Sequence, residues 1–212
     1  MSDTPPATAL ATANALAPGS TAEIPLFPLN TVLFPGGPLP LRIFETRYTD
    51  MVRRCMRSQS GFGVVLIREG SEAGAVARTA DSGTLARIVD FNQLSDGLLG
   101  ITCIGGERFA VQRRRRTPDG LNMADVRWLA PAPLQAVAPQ HTHLADILRK
   151  LLPQLGDVYQ FVKPQLDNAD WVGCRLAEIL PVGLEDKQAW ADLLDPSLRL
   201  DQLASLIQQP TN

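Results

Sequence analysis

The sequence predicts an α+β fold in which a β-rich N-terminal half is joined to a helical C-terminal half, and three observations carry that prediction. Before about residue 130 the apolar residues alternate or gather in short runs set off by glycine and proline turns. Pro131 to Gln140 is a linker rich in proline and alanine. Beyond it the apolar residues recur every three or four positions, the spacing of one helix face. The expected organisation is a flexible N-terminal extension over 1–22, a β-rich subdomain over 23–130, the linker over 131–140 and a helical subdomain over 141–212.

Ile24-Pro-Leu-Phe-Pro-Leu29 is apolar but broken twice by proline, which removes backbone donors and confines the segment to a sheet edge or a short strand. Val32–Phe34 and Leu39–Phe44 continue in extended style around the Pro35-Gly36-Gly37-Pro38 turn. From Glu45 the period changes. Phe44, Tyr48, Met51, Val52 and Cys55 fall on one helical face, with an acidic residue at the start, arginines at the end and Ser60-Gly61 as the stop. Phe62–Ile67 is a short strand, and Arg68–Ser82 reads as a polar loop.

Two hairpins follow. The Ser95-Asp96-Gly97 loop fits a type I turn closed by a left-handed glycine, pairing Leu94 with Leu98, Phe91 with Ile101, Asp90 with Thr102 and Val89 with Cys103. The second turns at Thr117-Pro118-Asp119-Gly120. Pairing Arg116 with Leu121 then brings Gln112 beside Asp125, Arg114 beside Met123, Val111 opposite Val126 and Phe109 opposite Trp128. In the C-terminal half, Leu144, Ile147, Leu148, Leu151, Leu152 and Leu155 form a stripe that Pro153 kinks or ends. Short segments near Val158–Val162, Ala169–Leu180 and Glu185–Leu194 follow, and Asp195-Pro196 caps a last helix.

With 212 residues, 45% hydrophobic, 20% charged and a formal net charge of -2, the chain has an ordinary globular composition and can bury a core without metal or disulfide. Nothing in that balance calls for nucleic acid or a membrane. Cys55, Cys103 and Cys174 are odd in number, far apart and set in apolar patterns, so they are expected as buried free thiols. No lysine or arginine precedes Arg42, so the positive region of a secretory signal is missing and a cytoplasmic protein is expected.

Catalytic motifs are absent. The lysines Lys150, Lys163 and Lys187 are followed by Leu, Pro and Gln, which excludes a phosphate-cradling Walker loop. Gly61-Phe62-Gly63 lacks the third glycine of a dinucleotide fingerprint, and no serine is flanked by glycines as in a nucleophile elbow. His141 and His143, with Asp146 nearby, make too sparse a metal site and are expected to be exposed and incidental. No catalytic residue, metal ligand or cofactor is therefore expected. Arg113–Arg116 is the densest charge run. On a strand it divides into two pairs on opposite faces, a charged edge or tip that blocks aggregation.

The run Ile24–Gly36, then Leu39-Pro-Leu-Arg-Ile-Phe-Glu-Thr-Arg-Tyr48 and Met51, resembles the opening of the Lon N-terminal substrate-binding domain family. Gly83–Val89, Gly100–Phe109, Arg175-Leu-Ala-Glu-Ile-Leu-Pro181 and Leu184-Glu-Asp-Lys-Gln188 look similar to later parts of that family, so the resemblance spans about residues 23 to 208. It implies a PUA-like β-barrel subdomain carrying one helix, followed by a C-terminal helical bundle. In Lon proteases this domain helps select unfolded or tagged proteins for an attached ATPase and Ser-Lys peptidase. Neither part occurs in the chain up to Asn212, which leaves a non-catalytic peptide- or protein-binding role, as a quality-control adaptor to Lon-type machinery.

Phe27, Leu29, Leu33, Phe34, Ile43, Phe44 and Tyr48 are assigned to the core, and Arg42 and Glu45 to pairing with each other or with nearby backbone. The polar helix face with Arg47, Asp50 and Arg54 is the candidate partner contact, against the alternative of a merely solvated face. Clients are expected in side-chain pockets beside the Pro25–Pro28 edge and the Pro35–Pro40 turn rather than by strand addition. Replacing Arg47 and Asp50 by alanine is then expected to weaken client binding and leave folding nearly intact. RNA binding is the alternative, suggested by a PUA-like fold and the arginine run and opposed by a pI of about 5.7. A third reading, an enzyme using a cleft between the halves, requires a buried ionisable cluster there.

Overall fold

The structure, a computed structural model, describes residues 17–70 and 78–208. Its N-terminal half holds strands β1 (Thr21–Leu29), β2 (Pro38–Ile43), β3 (Phe62–Glu69), β4 (Arg78–Thr79), β5 (Ser82–Gln93), β6 (Leu99–Arg116) and β7 (Asn122–Trp128), with helix α1 (Thr46–Ser58) between β2 and β3. Helices α2 (Thr142–Leu151), α3 (Ala169–Ile179), α4 (Leu184–Asp192) and α5 (Pro196–Gln208) follow. The result is a mixed α and β architecture on a mainly antiparallel sheet. Of the expected extension over 1–22, residues 1–16 lie outside the described residues, and Thr21 and Ala22 already belong to β1.

The pairings run β1-β7-β6-β5-β3 and return to β1 through a parallel β1–β3 ladder, so five strands close a ring. β2 lies outside it against the first part of β6. Ring closure explains how β1 tolerates two prolines. Residues 21–26 pair with β7 and residues 26–29 with β3. Pro25 and Pro28 thus each occupy a stretch with a hydrogen-bonded neighbour on one side only, the condition under which a missing N–H costs little.

Both hairpin ladders carry irregularities, two in the first and one in the second. In the first, Leu94 N–H donates to Leu98 O at 2.9 Å around left-handed Gly97, and Phe91 faces Ile101 as expected. A bulge at Val89 then puts Ile88, not Val89, opposite Cys103. In the second, Thr117 rather than Arg116 closes the turn onto Leu121, because left-handed Gly120 adds a loop residue. Arg116 consequently faces Asn122, Arg115 faces Met123 and Arg113 faces Asp125. A bulge at Gln112 absorbs the offset, so Val111 still meets Val126 and Phe109 still meets Trp128.

Three apolar clusters result. Ile24, Leu26, Val65, Leu85, Phe109 and Trp128 draw on all five ring strands and so fill the ring. Phe27, Leu29, Ile43, Tyr48, Met51 and Val52 belong to a second cluster, between the ring, β2 and α1. The third joins Leu144, Leu148, Trp171, Leu176 and Leu200 of the helical half to Phe34 from the other half.

Several expectations change. Phe44 is 62% exposed, because Ile43 is the last core-facing residue of β2 and the helix begins only at Thr46, three residues later. Helix α1 ends at Gln59, left-handed at φ 51, rather than at Ser60-Gly61; Gly61 is required because a Cβ there would overlap Ala86 O. Arg42 pairs with Asp96 and Glu45 with Arg47, not with each other. His141 is 3% exposed and meets Asp201 Oδ1 through Nε2 at 2.7 Å, while His143 is exposed as expected. The Pro35–Pro40 turn is not free surface: Arg175 of α3 donates to Pro35 O at 3.0 Å.

Candidate functional site

The β6–β7 tip gathers the recesses of the strand half. Beside Pro28 lies a cavity of about 220 Å³ bordered by Leu26, Met123, Asn122 and three successive arginines, Arg114 to Arg116. The register explains it. Arg114 and Arg116 pair with Ala124 and Asn122, which pair in turn with Ile24 and Leu26. Paired residues share a face, so these two arginines stand on the face that fills the ring, at the end where its apolar core stops. The cavity is the mouth of the closed sheet. The run divides as expected, with Arg114 and Arg116 on one face and Arg113 and Arg115 on the other, and Arg115 borders the same recess because a side chain this long reaches around a strand.

Their charges are partly engaged. Arg114 donates to Ala80 O and Asp81 Oδ1, each at 2.8 Å, and to Thr79 Oγ1 at 3.2 Å. Arg115 donates to Glu23 at 2.7 Å through Nε, and Arg116 to Gly120 O at 3.0 Å. Among the described residues, no carboxylate borders the cavity itself.

Two open grooves adjoin it. One of about 710 Å³ runs between Phe44, Arg47, Arg116 and Asp119; another of about 440 Å³ lies between Arg54, Pro118, Leu121 and Met123. Arg47 and Arg54 thus border the recesses, and Asp50 borders neither groove. Arg47 is also not a solvated side chain. It is 10% exposed, pairs with Glu45 at 2.7 Å, donates to Gly120 O at 2.9 Å and lies 4.8 Å over the Tyr48 ring. It ties α1 to the hairpin tip. Asp50 pairs with Arg53 at the surface, 3.2 Å away, and Arg54 is exposed.

Other apolar side chains are exposed around the strand half. Phe91 and Val89, on the free part of β5, are 59% and 46% exposed, and Met56 protrudes from α1. Sequence reasoning missed Phe91 because its partner Ile101 is buried; β2 pairs with the other edge of β6 at Ile101, whereas beyond Ala86 the far edge of β5 has no paired strand among the described residues.

Between the halves, Ser82 donates to Asp192 at 2.5 Å and Arg108 to Ala191 O at 2.8 Å, around a space of only about 10 Å³, room for one water. A buried ionisable cluster does occur where the Pro35–Gly37 turn meets α3. Arg175 pairs with Glu178 at 3.0 Å, Tyr159 bonds Glu178, and Lys187 donates to Glu178 O at 2.8 Å. Burial pushes the Glu178 carboxyl above its ordinary range, with Arg175 opposing. A Cβ at Gly37 would overlap this carboxylate, so the turn packs directly on it and leaves no space for a substrate. Arg175 and Glu178 act here as a clamp between the halves.

All three cysteines are free and buried; burial pushes Cys103 up to about 12 and Cys174 up to about 11, so neither is a ready nucleophile. Among the described residues, no group of three or more His, Cys, Asp or Glu can hold a metal ion, and no helix is long and apolar enough to cross a membrane.

Residues 23–209 match the family model of the ATP-dependent protease La (LON) substrate-binding domain. Curated relatives include Lon protease 2 of Myxococcus xanthus, 24% identical over 193 residues covering 88% of this chain and 23% of that protein. Protein cereblon of Gallus gallus is 30% identical over 144 residues, covering 64% of this chain and 31% of that protein. The chain spans about a quarter of the length of the Lon proteases it matches. Among solved structures, a Lon N-terminal domain protein from Xanthomonas campestris gives a TM-score of 0.72 at 40% identity, covering 89% of this chain and 99% of that one. The N-terminal domain of a Mycobacterium avium complex Lon protease gives 0.60 at 14% identity over 90% and 100%, a likeness of fold.

Proposed function

Because the chain belongs to the ATP-dependent protease La (LON) substrate-binding domain family, we propose that it is a non-catalytic module that binds segments of other proteins. One observation supports this most: three adjoining recesses around the β6–β7 tip, two with apolar floors at Leu26, Leu121 and Met123 and a third, mainly polar, between Arg47, Arg116 and Asp119 with Phe44 at its edge. That is the arrangement of a binding site, an apolar floor for affinity and sparse polar groups for orientation. We read the five-strand ring as the PUA-like β-barrel and the helices after residue 141 as a separate helical subdomain that braces it. Arg47 and Arg54 belong to the proposed surface as groove walls; Asp50 lies at its periphery.

Unfolded or tagged segments are the clients this reading assigns, with delivery to a Lon-type protease as the cellular role. What distinguishes an unfolded client is accessible apolar side chains, and recesses open to solvent can take them. RNA loses support as a partner, since a pI of about 5.7 and a net charge of -2 give the chain no overall basic footprint. Pull-down of one client in denatured and folded forms, at several salt concentrations, tests the reading. Selective capture of the denatured form is expected; equal capture of both at every salt concentration sinks it.

A further inference from the structure

We propose that the cavity beside Pro28 receives the carboxyl end of a client chain, an inference that rests on the peptide-binding reading. The terminal apolar side chain packs on Leu26 and Met123, and the terminal carboxylate faces Arg114 and Arg116.

Size argues first. A cavity of about 150 Å³ already holds one benzene-sized ring. At about 220 Å³ this one takes a single large apolar side chain with a small polar group, and not a run of residues. Shape argues second. The cavity stops on Leu26, part of the apolar core that Phe109 and Trp128 pack inside the ring, so a chain can enter but not pass through.

Charge argues third. Among the described residues, three arginines and no carboxylate border the recess; Asp81 and Glu23 meet Arg114 and Arg115 from outside it, and Asp119 shares the adjoining groove with Arg116. Guanidinium groups beside apolar walls favour a carboxylate more than the same groups in open water, because the lower effective dielectric strengthens the attraction. Only at a chain end do an apolar side chain and a carboxylate share one Cα. An internal acidic residue needs a neighbouring residue to supply the apolar contact, and two residues overfill the space.

The test measures fluorescence anisotropy with an unstructured labelled peptide ending in leucine. It is compared as the free acid, as the carboxyl amide, and as an amide with an aspartate before the leucine. Binding of the free acid roughly tenfold tighter than either amide is expected, and Arg116→Gln is expected to abolish that preference. Thermal melts establish whether Arg116→Gln folds; if it does not, the acid-to-amide ratio on the wild-type protein decides alone. Equal binding of acid and amide, or recovery by the aspartate peptide, overturns the chain-end assignment. Should denatured clients bind while the acid peptide does not, the assignment fails and the peptide-binding reading stands. Should no unfolded chain bind at all, both fail.

Discussion

Arg47 and Asp50 sit three residues apart on α1, yet they answer to different physics. Arg47 is nearly covered and donates to Gly120 O, a bond of the charged class that contributes about 1.5–3 kcal/mol. Its buried Nε lacks a partner, which offsets part of that gain. Arg47→Ala is therefore expected to destabilise the protein toward the lower end of that range in chemical denaturation, whereas Asp50→Ala should stay within about 0.5 kcal/mol. The expectation that both substitutions leave folding intact is thus revised for Arg47. Helical periodicity identified the polar face correctly; it carried no information on a hairpin tip 73 residues away that would cover one of its arginines. The thiols are a second case. With Cys103 pushed up to about 12 and Cys174 to about 11 by burial, native protein at pH 8 is expected to resist alkylation and to react after unfolding. Rapid native labelling would show that these sites open.

Glu178 titrates against the usual direction for a carboxylate in an ion pair. Its folded-state pKa is raised, first by desolvation, with Arg175 and Tyr159 opposing. A raised value means that the folded state holds the proton more tightly than the unfolded chain. This contribution is fully present below the ordinary value of 4.5 and is lost as pH rises through the folded value. Compared with Glu178→Gln, wild type should gain relative stability as pH falls from 8 toward 5. A difference between the two that is flat with pH would contradict this.

The strands show how an element corrects itself. Gly120 lengthens one turn by a residue and the Gln112 bulge removes the offset, so apolar pairs far from the tip keep the register that simple counting predicts. The arginines between the two irregularities do not, which moves Arg114 and Arg116 onto the face that fills the ring. The Pro35–Gly37 turn is a second element whose role depends on what covers it. A methyl at Gly37 would overlap the Glu178 carboxylate and lie 2.5 Å from Arg175 Nη2. Overpacking of this kind costs about 1–3 kcal/mol, so Gly37→Ala is expected to lower the melting temperature. An unchanged melt would mean that the clamp yields freely.

At the scale of the molecule, the two halves share a core. Phe34 leaves the strand half and is fully buried among Leu144, Trp171 and Leu176. Phe34→Ala should cost about 3–5 kcal/mol, the range for truncating a buried phenylalanine. Strand and helix signals should be lost in one transition, for wild type and variant alike. Two separated transitions, one reported by Trp128 in the ring and another by Trp171 in the helices, would show that the halves fold independently.

What the sequence determined by itself is everything encoded within a few residues: the glycine-closed turns, the amphipathic α1, the stop at Pro153, the Asp195 cap that accepts from Ser197 N–H at 2.9 Å, and the succession of strands then helices. Its scattered motifs also carried the family. Tertiary structure alone decided the parallel β1–β3 closure, the bulges, the burial of Arg47, His141 and Arg175, and the exposure of Phe44 and Phe91. The physical reason is range. Backbone preference and periodicity act between neighbours in sequence, whereas the covering of a face depends on which distant segment packs against it. The proposed site belongs to the second kind, because its mouth exists only once five strands have closed and two local register shifts have turned Arg114 and Arg116 inward.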